Sequence, residues 1–68
     1  MFDRALFKYM IDRKQLTLSD VANQLGVNDA TLYRKMKGES DFSRSEIQML
    51  KSILGMTTEE SISVFFAD

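Results

Sequence analysis

The sequence contains no cysteine, no histidine, no tryptophan and no proline. Without cysteine there is neither a disulfide framework nor a thiolate metal site. Without histidine, a common zinc ligand and the commonest general base are missing. The remaining carboxylates stand mostly at helix starts or on charged faces, with no convergent pair to carry hydrolysis. No enzymatic activity, metal or cofactor is therefore expected. Long apolar runs are also lacking: none approaches the roughly 20 residues of a membrane span. Charges interrupt Met1-Phe2-Asp3-Arg4 before a signal-peptide core can form, so a cytoplasmic protein is expected. The missing proline and the mere three glycines fit helices joined by short turns. The 68 residues read as one domain, residues 1–68, with a small core. They leave no room for a cleavable or ligand-sensing domain, so regulation by concentration or by partners is expected.

What the sequence does have is a regular supply of helix starts and stops. Asp3 is placed to cap a helix over residues 4–14, with Leu6, Phe7, Met10 and Ile11 on one side. Thr17-Leu18-Ser19-Asp20 reads as a capping box, because the acid at the third helical position reaches back to the cap. The stripe Leu18, Val21, Ala22, Leu25 follows, and Gly26 stops this second helix. Asn28 caps a third helix over about Asp29 to Lys37, closed by Gly38. Ser43-Arg44-Ser45-Glu46 opens a fourth carrying Ile47, Leu50, Ile53 and Leu54, and Gly55 closes it. Thr57-Thr58-Glu59-Glu60 opens a fifth, with Ile62, Val64, Phe65 and Phe66 as its apolar residues. Met10, Met36, Met49 and Met56 read as core filler.

The net charge of −1 hides an uneven distribution. Residues 1–16 carry +2 and residues 30–38 carry +3 with no acid, whereas residues 52–68 carry −3. Two basic segments and an acidic C-terminal end match a small DNA binder with one working face. Ordinary solvated helix faces remain the plainer explanation of the charges taken alone.

The informative stretch is Thr17 to Gly38, TLSDVANQLGVNDATLYRKMKG. Two short helices crossing at a tight turn need a small residue at the crossing, and Ala22 meets that need. They need a residue tolerant of positive φ in the turn, met by Gly26, and an apolar plug after it, met by Val27. The second helix needs an inward anchor, met by Leu32. Its other faces are mostly polar, which suits insertion into the major groove of DNA.

This stretch resembles the helix-turn-helix of the phage Cro/repressor family, through Val21-Ala22, Leu25-Gly26-Val27-Asn28, Thr31-Leu32 and Gly38. The likeness extends over the chain and is close to short prophage regulators. Their recognition helix is similar to Tyr33-Arg34-Lys35-Met36-Lys37-Gly38, followed by Phe42, a Ser-Arg-Ser-Glu-Ile helix start and an end near Phe65-Phe66. The resemblance implies an all-α, five-helix, lambda-repressor-like domain with the helix-turn-helix at its second and third helices. It also implies binding to a double-stranded DNA operator, usually as a homodimer. Two positions depart from the family pattern. Leu18 stands where a polar residue often meets a phosphate, and Lys35 stands where an aromatic or aliphatic residue is common, leaving that packing to Met36.

Candidate contacts follow residue by residue. Asn28, Asp29 and Ala30 lie where the family reads bases. Asn28 also serves as a cap, Asp29 suits either a cytosine amino group or the helix dipole, and Ala30 either meets a thymine methyl or is inert surface. Arg34 is the leading base reader, because a guanidinium matches guanine O6 and N7 with two hydrogen bonds. Tyr33 is assigned to a phosphate or a base edge, with packing on the domain as its other role. Lys35 and Lys37 are expected on the DNA backbone, setting salt dependence rather than sequence choice. Thr31, Thr17 and Arg44 are further phosphate candidates. Of Phe65 and Phe66, at least one is expected in the core, and a dimer interface is the expected use of the other. A rival reading is a protein-binding module on the same fold, an antirepressor or a polymerase partner. It draws on the acidic balance, on Asp29 at the reading position and on the apolar tail.

Overall fold

A computed structural model describes residues 1–67; Asp68, counted above in the acidic end, lies outside the described residues. Five helices form, α1 (Arg4–Arg13), α2 (Leu18–Leu25), α3 (Asp29–Met36), α4 (Arg44–Ile53) and α5 (Thr58–Phe65), with no strand among the described residues. This is the all-α, five-helix arrangement expected from the sequence.

Helices of eight to ten residues are marginal on their own, since isolated helices below about 12–15 residues barely hold in water. Each is therefore closed at its start. Asp3, Thr17, Asn28, Ser43 and Thr57 are extended, and the side chain of each accepts from the backbone N–H three residues on. Asp20, Glu46 and Glu60 return the bond to complete capping boxes.

The ends are closed as regularly. Gln15, Gly26, Gly38 and Gly55 have positive φ, and the N–H of the residue after each returns to the carbonyl five positions back. This is the Schellman closure. Three of the four joints compress into the same three-residue corner: a left-handed residue, an apolar plug, then the next N-cap. They are Gln15-Leu16-Thr17, Gly26-Val27-Asn28 and Gly55-Met56-Thr57. In the first, Gln15 holds φ 58 where the other two place glycine. Only the α3–α4 connection is longer.

The core draws on every helix: Phe7, Met10 and Ile11 from α1; Val21, Ala22 and Leu25 from α2; Leu32 and Met36 from α3; Leu50 from α4; Val64 and Phe65 from α5. Leu54 and Met56 complete it at the α4–α5 corner. Helix α2 packs on both α3 and α4, and α5 packs on both α1 and α4. Phe2, Phe7, Phe42 and Phe65 form a cluster in which all six ring pairs lie 5.1–6.1 Å apart. Edge-on and tilted pairs at this spacing add attraction beyond burial. The cluster joins the N-terminal segment, α1, the α3–α4 connection and α5. Beside it Asp3 N–H donates to the Val64 carbonyl at 2.7 Å. Phe2 precedes the Asp3 cap and meets Phe7 in the next turn, a hydrophobic staple that fixes the entry into α1.

Three apolar expectations are revised. Met49 is exposed on α4 rather than filling the core, whereas Met10, Met36 and Met56 are buried. Ile62 is exposed because Ser61, Val64 and Phe65 form the inward face of α5. Phe65 is in the core, its ring held by the aromatic cluster, which removes it from the expected dimer surface; Phe66 is 62% exposed.

Arg13, in the last turn of α1, pairs with Glu60 of the α5 capping box at 2.7 and 3.3 Å. The Arg13 guanidinium, and then the Thr57 N–H, hold the Glu60 carboxyl down at about 2 against its ordinary 4.5.

Two predictions follow from these joints. Gln15→Gly should stabilise the protein by about 0.5–1 kcal/mol, because relief of a left-handed side chain exceeds the entropy glycine adds to the unfolded chain. Thermal unfolding should show a rise of several degrees, and no rise would refute the strain at this corner. A carboxyl whose folded value is depressed contributes stability that is complete above its unfolded value and lost as pH falls through the folded one. Stability should therefore decline between pH 4.5 and about 2. In Arg13→Gln that decline should flatten, and the Glu60 carboxyl, followed by NMR, should titrate at higher pH.

Candidate nucleic-acid interface

Helices α2 and α3 meet across the Gly26-Val27-Asn28 corner. Gly26 at φ 85 turns the chain, and Val27 N–H bonds back to the Ala22 carbonyl at 3.0 Å. Ala22 is fully buried at the crossing, and Val27 packs against the core between the helices. Asn28 Oδ1 then accepts from Thr31 N–H at 2.8 Å, starting α3.

Helix α3 is held by few side chains. Leu32 and Met36, one turn apart, are its only fully buried residues. At about 100° per residue the opposite side carries Ala30, Arg34 and Lys37, with Tyr33 on the flank toward Leu18, and all four are exposed. The outward stripe thus holds two cations, with an aromatic ring 42% exposed at its flank, on a helix whose two buried residues lie on the other side. Arg34 lies along this stripe with one guanidinium nitrogen 3.3 Å from Thr31 Oγ1. That weak, exposed bond orients the side chain without occupying its remaining donors. Thr31 is half-buried at the edge of the face.

Other candidates are committed in part to local structure. The Thr17 hydroxyl accepts from Asp20 N–H at 3.0 Å, and Asp20 accepts from Thr17 N–H at 2.9 Å. The Thr17 N–H, and then the Thr17 hydroxyl, lower the Asp20 pKa. The Asp29 carboxylate accepts from the Ser19 hydroxyl, so it clamps α2 to α3 as well as lying at the favourable end of the α3 dipole. Leu18 is half-buried beside Leu32, Tyr33 and Met36, and it packs the first turn of α2 onto α3 where the resemblance led one to look for a polar side chain. Arg44 is exposed at the first position of α4, the end of a helix that disfavours a cation.

Lys35 does not join this face. Its side chain is 12% exposed and turns toward α4. The ammonium donates to the Asp41 carbonyl at 2.9 Å, pairs with Glu46 at 3.2 Å and stands 6.0 Å from the centre of the Phe42 ring. The side chain expected on the DNA backbone thus has two partners within the protein. Burial pushes the Glu46 carboxyl up, but the Ser43 N–H and the Lys35 ammonium together outweigh it and leave the pKa lowered. The structure therefore brings Asn28, Asp29, Ala30, Thr31, Tyr33, Arg34 and Lys37 onto one helix and its leading turn, and sets Lys35 and Phe65 apart. In the sequence Ser19 and Glu46 stand out only as parts of helix starts. Their partners lie ten and eleven residues away, beyond any helical period that a sequence displays.

Cap and contact roles at Asn28 separate by substitution. Asn28→Ala should destabilise the protein by about 1 kcal/mol, read by urea unfolding. Asn28→Ser should keep the stability, so that any change in DNA preference by the serine variant reports the amide itself.

The model of the Cro/C1-type helix-turn-helix DNA-binding domain matches residues 5–65 of the chain. No curated protein and no solved structure matches it.

Proposed function

Because the chain belongs to the Cro/C1-type helix-turn-helix DNA-binding family, we propose that it is a sequence-specific transcriptional regulator of the phage or prophage repressor type, with α3 laid in the major groove of an operator. The observation that carries this reading is the division of α3. Leu32 and Met36 anchor one side, Ala30, Arg34 and Lys37 stand exposed on the other, and Tyr33 is exposed on the flank between them. A helix with its side chains is about 10–12 Å across, which suits a groove about 12 Å wide.

Arg34 reads a guanine through two hydrogen bonds, and Tyr33 and Ala30 meet neighbouring base edges. Asn28 and Asp29, at the leading turn, lie nearest the adjoining base pair, with Asp29 able to accept from a cytosine amino group. Lys37, Arg44, Thr17 and Thr31 bind phosphates and set the register. A homodimer, with Phe66 in its interface, places two copies of α3 one turn of DNA apart, about 34 Å. The near-neutral charge makes affinity depend on these few cations rather than on a general field.

Selection from a random duplex pool at low salt tests the reading. It should enrich a roughly palindromic motif whose affinity falls steeply as salt rises. Arg34→Ala should cost roughly 1–3 kcal/mol on that motif and relax preference at one position. Lys37→Ala should weaken all sequences alike and reduce the salt slope by about one per protomer. Equal losses on operator and random DNA for Arg34→Ala would sink the base-reading role. No enrichment by pure protein would favour a protein partner instead.

A further inference from the structure

The α3–α4 connection is the one joint not built as a three-residue corner. Its chain turns at Gly38, where Glu39 N–H closes on the Arg34 carbonyl, and the next closing bond is Ile47 N–H to the Ser43 carbonyl. Between them residues 40–42 make no backbone–backbone hydrogen bond among the described residues. Two side chains hold this stretch. Phe42 inserts into the aromatic cluster, and the Lys35 ammonium takes the Asp41 carbonyl and the Glu46 carboxylate together. Glu46 in turn accepts from Ser43 N–H at 2.7 Å, and Ser43 Oγ accepts from Glu46 N–H at 3.2 Å. A continuous path of bonds therefore runs from the last turn of α3, through the connection, to the N-cap of α4.

The two cations available for the DNA backbone at this end flank that path. Lys37 is the C-cap of α3 and Arg44 is the first residue of α4. Their separation is set by whatever fixes α4 on α3. We propose that Lys35, through Glu46, is a positioning residue for DNA binding: it holds α4 on the recognition helix so that Lys37 and Arg44 straddle the same DNA backbone, and it is not itself a phosphate ligand. This inference rests on the DNA-binding reading above. The pair is mostly withdrawn from water, at 12% and 18% side-chain exposure, and each partner is held a second time, Lys35 by the Asp41 carbonyl and Glu46 Oε1 by the Ser43 N–H. Those are the conditions under which such a pair fixes geometry rather than merely decorating a surface.

Charge and position make opposite predictions for Glu46. Replacing an acid near DNA by a neutral isostere should tighten binding if only the electrostatic field matters. It should weaken binding if the acid works by holding Lys35. The experiment titrates the duplex recovered by selection with the unaltered protein, Lys35→Met, Glu46→Gln, the double variant and Lys37→Ala, each over a range of salt. Circular dichroism melts establish that each variant is folded at the assay temperature. Lys35→Met keeps the aliphatic stem, and Glu46→Gln keeps the acceptor for Ser43 N–H, so both retain the local packing.

The expected result is a loss of about 2- to 30-fold for Lys35→Met and for Glu46→Gln, with the double variant no weaker than the worse single one. The salt slopes of these variants should match the unaltered protein, while Lys37→Ala loses about one phosphate contact per protomer. A slope reduced by about one in Lys35→Met, together with unchanged or tighter binding by Glu46→Gln, would overturn the proposal and return Lys35 to the DNA backbone. Full affinity in both variants would overturn it as well. Failure of the unaltered protein to bind any selected duplex is a different outcome: it removes the DNA-binding reading, and the positioning role falls with it.

Discussion

None of the five helices exceeds ten residues, and a helix of that length is not self-supporting in water. The whole architecture depends on closing all five starts and four of the five ends. At the starts, five short polar side chains accept from backbone N–H groups that would otherwise be orphaned. At four ends, a left-handed residue folds the next N–H back on the helix. Because the residue after the turn is apolar at three corners, a single position closes one helix, plugs the core and leads into the next cap. A chain of this size has little core to spare, and the corner uses three residues where a looser connection would use more.

The same economy shapes the candidate interface. Helix α3 gives only Leu32 and Met36 to the fully buried core, and each contributes roughly 1.5–3 kcal/mol by burial. Two anchors, the Asn28 cap and the Ser19–Asp29 clamp hold the helix while leaving Ala30, Tyr33, Arg34 and Lys37 outside. A third or fourth apolar anchor would stabilise the helix further but would take positions from that face. The cost is that the end of α3 lacks packing of its own toward α4. Lys35 and Phe42 supply the connection from both sides, one by hydrogen bonds and the other through the aromatic cluster.

Much of this was legible along the chain. Asp3, Thr17, Asn28, Ser43 and Thr57 announce their roles by type and position, because a cap bonds within three residues of itself. The stripes of α1, α2 and α4 follow from a fixed period. The joint at Gln15 was not legible as a left-handed turn, since nothing but the neighbouring corners shows that glutamine stands in for glycine there. Phe2 was equally silent, as it lies outside any helix. On α5 the period alone did not separate Phe65 from Phe66 or reveal that Ile62 faces outward; the approach of α1 and of Phe42 decides which side of that short helix is inside.

The sequence by itself determined where each helix begins and where the second, third and fourth end, that Ala22, Gly26 and Val27 form the crossing, and that α3 carries Arg34 and Lys37 at a spacing suited to one face. Those properties are local, settled by bonds that span three to five residues. Only the tertiary structure decided that Lys35 reaches Asp41 and Glu46, that Asp29 is shared with Ser19, and that four phenylalanines from four segments meet. These depend on which distant residue the folded chain brings within about 3 Å for a hydrogen bond or about 6 Å for a ring. No periodicity encodes such a meeting, because the distance is fixed by how the helices pack and not by their own pitch.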